Sequence, residues 1–193
     1  MKRRLFLQIP LLGAALVATN QLYAGDHLGK THAKERPKKG FKVSAGKDRF
    51  QKELNIMGGQ FNRIVSSEDT NGDLLIYHTV RQEKGGPALH LHHEQDEWFY
   101  VISGEFIVKV GEDTFTLKPG DSAFAPRTIP HAFAKINEDE GQVLVLFQPT
   151  GSMEDFFEQM SKLGTNIPKD QERVLKNLWE THGMQVVGPP LKF

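Results

Sequence analysis

From Asp73 onward, apolar and polar residues alternate with period two. The stretch "DLLIYHTV" sets Leu74, Ile76, His78 and Val80 on one face of a strand and Leu75, Tyr77 and Thr79 on the other. Turn signals then recur at short intervals: "KGGP" at 84–87, "SGE" at 103–105, "GED" at 111–113, "KPGD" at 118–121 and "NEDEG" at 137–141. The runs between them, "EWFYVI", "FIVKV", "TFTL", "SAFA", "HAFAKI" and "QVLVLF", are rich in β-branched and aromatic residues. Strands this short, punctuated by glycine and proline, predict an antiparallel sandwich or barrel rather than βαβ units. The fold class is all-β at its centre.

After residue 150 the period lengthens. "SMEDFFEQMSKLG" places Met153, Phe156, Phe157, Met160 and Leu163 on one helical stripe, with Ser152 as the expected N-cap and Gly164 as the stop. A second helix is expected from about Pro168, carrying Val174, Leu175, Leu178 and Trp179 and ending before Gly183. His182 in its last turn would complement the helix dipole. Both stripes read as packing surfaces, against the barrel or against a partner subunit.

The N-terminal pattern is different again. "MKRRLFLQIPLLGAALVATNQLYAG" has a basic start, an apolar run from Ile9 to Ala18, then small and polar residues, the layout of a secretory signal peptide. Its "KRRLFLQ" opening resembles a twin-arginine signal, with Lys2 and Gln8 departing from that pattern. Residues 25–40, "GDHLGKTHAKERPKKG", lack apolar periodicity and read as a basic, flexible linker. The chain thus divides into a signal peptide over 1–24, a linker over 25–40, a β-barrel over 41–150 and a C-terminal helical extension over 151–193. The expected location is the periplasm or the medium, with no stable membrane association once the signal is removed.

Composition narrows the chemistry. The chain has 193 residues and no formal net charge. Its basic residues concentrate before residue 41, leaving 16 Lys and Arg against 22 Asp and Glu in residues 41–193. A mildly acidic folded part disfavours a nucleic-acid partner. There is no cysteine, so disulfides, thiolate ligands and a cysteine nucleophile are excluded, and any metal must be held by histidine and carboxylate.

The stretch "LHLHHEQDEW", from Leu89 to Trp98, supplies both ligand types. His90 and His92 are two apart and leave one face of a strand, while His93 leaves the other face or starts the turn. Glu94, Gln95 and Asp96 are assigned to the turn. Glu97 opens the next strand, and an antiparallel hairpin would return it beside the two histidines. Two imidazoles and a carboxylate form a mixed N/O site suited to one divalent transition metal: Fe, Mn, Ni, Co, Cu or Zn. A fourth ligand should come from another strand, and "PRTIPHAF" offers His131. Taken singly, each histidine reads as a strand-end residue; it is the combination that points to metal.

At these residues the chain resembles the cupin superfamily, in particular its single-domain, quercetin-dioxygenase-like members. "GGPALHLHHEQDEWFYVISG" supplies the first motif through His90, His92, Glu97 and Gly104. "GDSAFAPRTIPHAFAKIN" supplies the second through Gly120, Pro126 and His131. Two departures stand out: Thr128 occupies a place where glycine is frequent, and Asn137 comes later than the pattern expects. The resemblance implies a double-stranded β-helix, or jelly-roll, barrel with C-terminal α-helices. It also implies a metal held by His90, His92, Glu97 and His131, with Glu97 as catalytic base as well as ligand. The implied activity is a dioxygenase acting on a flavonol or enol-like substrate. Rival readings on the same ligands are an isomerase or decarboxylase, or a non-enzymatic binder of a small ligand or metal. Candidate pocket residues are His78, Phe99, Phe106 and Phe133, while Trp98 and Tyr100 lie on the opposite face. Exposed edge strands would suit a homodimer.

Overall fold

The computed structural model describes residues 36–164 and 172–193. The leader at 1–24, the first part of the linker and Pro168 lie outside the described residues. Eleven strands and three helices are found among those described. The strands are β1 (Leu54–Ile56), β2 (Gly59–Val65), β3 (Leu75–Arg81), β4 (Ala88–His92), β5 (Asp96–Ser103), β6 (Phe106–Val110), β7 (Asp113–Leu117), β8 (Ser122–Ala125), β9 (His131–Lys135), β10 (Gly141–Gln148) and β11 (Met184–Pro190). The helices are α1 (Ser67–Thr70), α2 (Met153–Leu163) and α3 (Glu172–Thr181).

The strands form two antiparallel sheets, a six-stranded one ordered β1-β2-β3-β10-β5-β8 and a five-stranded one ordered β11-β4-β9-β6-β7. This is the antiparallel β architecture the alternation predicts, arranged as the jelly roll that the resemblance implies. Its interior collects the inward positions of each strand: Leu75 and Tyr77 from β3, Phe99 and Val101 from β5, Phe106 and Val108 from β6, Val143, Val145 and Phe147 from β10. Removing such side chains from water supplies the main driving force for closing the sheets on each other.

Strand β3 corrects one expectation. Leu75, Tyr77, Thr79 and Arg81 are the buried set, so His78 turns away from the interior and its Nε2 lies 3.0 Å from Gln142 Oε1. Both faces of "DLLIYHTV" carry aliphatic residues, so the alternation alone could not say which one faces inward. The register decides it, because Leu75 and Tyr77 lie opposite Phe147 and Val145 of β10. Parity held for β5. Glu97, Phe99 and Val101 are buried, while Trp98 and Tyr100 stack at 5.7 Å on the outer face, where Phe124 and Ile102 are also exposed.

The C-terminal part closes the barrel. Helix α2 buries Met153, Phe156, Phe157 and Met160. The Phe157 ring lies 4.6 Å from Tyr77, 5.2 Å from Phe61 and 5.6 Å from Phe147. Ser152 occupies the N-cap position but its side chain makes no capping bond, whereas Gly164 ends the helix with φ of 77°. Helix α3 lays Trp179 against Phe156 at 5.2 Å, while Val174, expected on the same stripe, is exposed. The extension is not helical to its end, since Met184–Pro190 forms β11 and pairs with β4, Met184 opposite His92 and Val186 opposite His90. Among the described residues no helix is long and apolar enough to cross a membrane.

One buried ionic cluster fastens α2 to the sheet. Arg63 of β2 is fully enclosed and donates from Nε to Asp48 (3.3 Å) and from Nη1 to Glu154 (2.7 Å) and Glu158 (2.8 Å). Glu154 also accepts from the Ser66 hydroxyl and the Ser67 backbone N–H. Thus the N-terminal segment, β2, the α1 turn and α2 meet at one guanidinium.

Candidate metal centre

Strand β4 sends His90 and His92 to one face, both buried, with Leu91 between them on the other. The chain then crosses to the other sheet. β4 and β5 are not hairpin partners, contrary to the expectation from the short turn, and belong to different sheets. Glu97 therefore faces the histidines across the barrel interior rather than alongside them. His131, at the start of β9, is the direct cross-strand partner of His90. Asp96 is the first residue of β5, not a turn residue, and it grips the loop leading to His131. Its Oδ1 accepts from the backbone N–H and Nε of Arg127, and its Oδ2 from Nη2 at 2.7 Å. His93 is exposed, on the turn.

His90, His92, Glu97 and His131 are all buried, and one ligand atom from each lies within 4.8 Å of the others. The three imidazoles aim Nε2 at a single atom, Glu97 Oε2, at 2.8 Å for His131, 3.1 Å for His92 and 3.9 Å for His90. On the far side, His90 Nδ1 lies 2.8 Å from Ala88 O and His131 Nδ1 2.8 Å from Ile129 O. Each Nδ1 must carry the proton to bond a carbonyl, which leaves the Nε2 lone pairs facing the carboxylate. Lone pairs facing lone pairs at these distances repel unless a cation lies between them, either a proton or a metal ion.

The electrostatics agree. Burial, followed by repulsion from His131, pushes His90 down to about 3, so it is a neutral donor. Burial also opposes charge on His131, but the hydrogen bond to and attraction of Glu97 outweigh it and raise its pKa above the ordinary 6.5. Glu97 is likewise opposed by burial, yet hydrogen bonds from His131 and His92 hold it ionised well below the usual carboxylate range. Three imidazole nitrogens and one carboxylate oxygen, pre-aimed and enclosed, fit a divalent transition metal with coordination positions to spare. The His92 Nδ1 is buried with no partner among the described residues.

Two turns shape this centre. Gly86 passes against β9 so closely that a Cβ there would lie 1.8 Å from Phe133 O, which only glycine permits. Thr128 holds φ of 68° in a turn closed by Ile129 N–H to Pro126 O, and its own N–H reaches His92 O at 2.7 Å. This left-handed position explains why glycine would be at home there. A β-branched residue pays strain for it, so Thr128→Gly is expected to stabilise the protein by about 1 kcal/mol in urea unfolding, without changing metal stoichiometry. Destabilisation would show that the threonine side chain contributes packing that outweighs the strain.

His90, His92 and Glu97 border a cavity whose free volume is about 50 Å³, room for on the order of four water molecules. Of the expected pocket residues, Phe133 borders it; His78, Phe99 and Phe106 do not. Phe99 and Phe106 point inward but are core: each pair of residues along a strand advances roughly 6.6 Å, which puts Phe99 a layer beyond Glu97, against Phe133 at 5.5 Å. The remaining walls come from distant parts of the chain, Met57 beside β1, Arg81 at the end of β3, and Phe156, Met160 and Trp179 from the two helices. The helical stripes showed that the last group was buried, but nothing in the pattern said against what.

The family described as "Cupin domain" matches residues 77–147. An uncharacterized protein of Streptomyces coelicolor is 38% identical over 60 residues, 31% of this chain and 56% of that one. An uncharacterized protein of Methanocaldococcus jannaschii is 28% identical over 67 residues, 35% of this chain and 54% of that one. The chain thus spans about half the length of these curated relatives. Among solved structures, an RmlC-like cupin from Shewanella frigidimarina is 25% identical with a TM-score of 0.49, covering 61% of this chain and 96% of the other. KdgF from Halomonas sp. is 26% identical with a TM-score of 0.43, covering 48% and 79%.

Proposed function

We propose, from the match of residues 77–147 to the cupin-domain family, that the protein is a metal-dependent enzyme. It holds one divalent transition ion between His90, His92, Glu97 and His131 and acts on a small hydroxylated or enol-like molecule. The observation that carries this reading is the convergence of three Nε2 atoms on Glu97 Oε2 at the edge of an enclosed, largely apolar cavity. When bound, the ion would acidify a substrate hydroxyl and offer open positions to substrate oxygen and to dioxygen.

The reaction we infer is dioxygenation of the quercetinase-like kind. Glu97 makes its histidine contacts through Oε2 alone, so Oε1 remains for the hydroxyl proton of a substrate in the cavity. Phe156, Met160 and Trp179 wall the cavity with apolar surface against bulk water, which strengthens the charge interactions inside. The free volume of about 50 Å³ is too small for a three-ring flavonol with α2 and α3 in place, and directs the reading to small enols. The twin-arginine-like leader would place this chemistry outside the cytoplasm.

Oxygen uptake by iron- or manganese-loaded protein tests the reading. Small enols and α-hydroxy ketones are expected to drive uptake, and flavonols are not. No uptake with the metal site filled would sink the dioxygenase assignment. Turnover at an unchanged rate under argon would replace it with isomerisation or decarboxylation on the same ligands.

A further inference from the structure

Arg81 sits at the inner end of β3 and borders the same cavity as His90, His92 and Glu97, only 2% exposed. Among the described residues its guanidinium makes one hydrogen bond, from Nη2 to the Met57 carbonyl at 2.5 Å. Its Nε–H is buried and has no partner among the described residues, and no carboxylate among them lies within ion-pair distance. The carboxylate that acts on it through space is Glu83, which is exposed. The Phe133 ring lies 5.8 Å from the guanidinium carbon and presents a face rather than a counter-charge.

Arg63 shows what this fold does with a buried arginine that serves structure alone: it is bound by Asp48, Glu154 and Glu158. Arg81 is as deeply buried and has no such acids. An enclosed cation without a counter-ion is costly unless something that binds there supplies one. The backbone around it is shaped to fit: a Cβ on Gly59 would lie 2.7 Å from Arg81 Nη1, so the missing side chain leaves the guanidinium its place.

We propose that Arg81 is the substrate-anchoring residue of the cavity and that the substrate class is a short carboxylate bearing a hydroxyl, keto or enol oxygen. The inference rests on the metal-site reading above and adds the anionic group to it. With a divalent ion, the Glu97 charge leaves the centre positive, and Arg81 adds to that. The cavity as a whole therefore favours an anion, and a carboxylate on the guanidinium supplies the counter-charge that Arg81 lacks. Arg81 Nε–H and the second N–H of Nη2 form the planar edge that a carboxylate accepts with two parallel bonds. A phosphate would demand more donors than the single free edge of this guanidinium offers.

Calorimetric titration with glycolate, acetate and the neutral analogue ethylene glycol, on metal-free and manganese-loaded full-length protein, tests this. Metal content is measured on each sample. Both carboxylates are expected to bind, glycolate more tightly once manganese is present, and ethylene glycol at least about tenfold more weakly than glycolate. Arg81→Lys should weaken glycolate by about tenfold and Arg81→Met by about a hundredfold, with manganese stoichiometry unchanged. Equal binding of ethylene glycol and glycolate by the unaltered protein would overturn the proposal without any variant, and so would an Arg81→Met protein that keeps its glycolate affinity. Failure of the metal reading looks different: manganese would not be retained, while acetate would still bind metal-free protein through Arg81.

Discussion

His131→Ala is expected to lower metal affinity by at least about a hundredfold and to abolish turnover, while the protein still folds. His131 is fully buried, and its Nε2 makes the shortest of the three approaches to Glu97 Oε2, at 2.8 Å. The substitution removes one donor and leaves a buried carboxylate with less to hold it. Metal content after dialysis checks the first effect, and a variant retaining metal at full stoichiometry would remove His131 from the ligand set. The metal-free protein has a second signature. The folded-state pKa of His131 lies above its ordinary value, so its protonated form contributes stability that is complete below about 6.5 and is lost as pH rises through the raised value. A bound metal would take the place of that proton. Chelated protein should therefore lose stability as pH rises past neutrality, metal should restore it, and His131→Ala should lack this limb of the profile.

Arg63→Met is expected to cost about 3 kcal/mol, a fall of roughly 6–12 °C in melting temperature for a domain of this size. Among the described residues Arg63 is the only cation shared by Asp48, Glu154 and Glu158, and its removal strands a buried Asp48 carboxylate. Asp48 keeps the backbone N–H groups of Phe50, Lys52 and Arg63, and Lys52 still reaches Glu158, which places the cost at the lower end for a broken buried pair. Pairing the change with Asp48→Asn should recover part of the loss. A loss below about 1 kcal/mol would class the cluster with surface ion pairs. Because α2 walls the cavity while the ligands sit on strands, metal stoichiometry should survive the change.

Much of the centre was legible because strand parity is local. His90 and His92 share a face wherever a strand forms, and Glu97 shares its face with Phe99 and Val101. The departure at Thr128 was visible too, and its φ of 68° gives it a physical meaning. Other features were not local. "DLLIYHTV" has two apolar faces, so only pairing with β10 could assign Tyr77 inward and His78 outward. The short segment between His92 and Glu97 looks like a hairpin, yet it joins two sheets, because β4 finds its partners in β9 and β11 and β5 in β8 and β10. Met184–Pro190, inside the expected helical extension over 151–193, form β11 along β4.

The sequence by itself determined the all-β class, the helical stripes and the residue types able to hold a metal, since each depends on spacing within a few residues. The cavity was decided by tertiary structure alone. Its walls come from Met57, Arg81, Phe133, Phe156, Met160 and Trp179, residues spread over most of the folded chain. Arg81 illustrates the difference most clearly. In the sequence it is one basic residue ending a strand. In the fold it is a buried cation bonded to a single carbonyl, because inward parity and the closing helices remove it from water without giving it an acid.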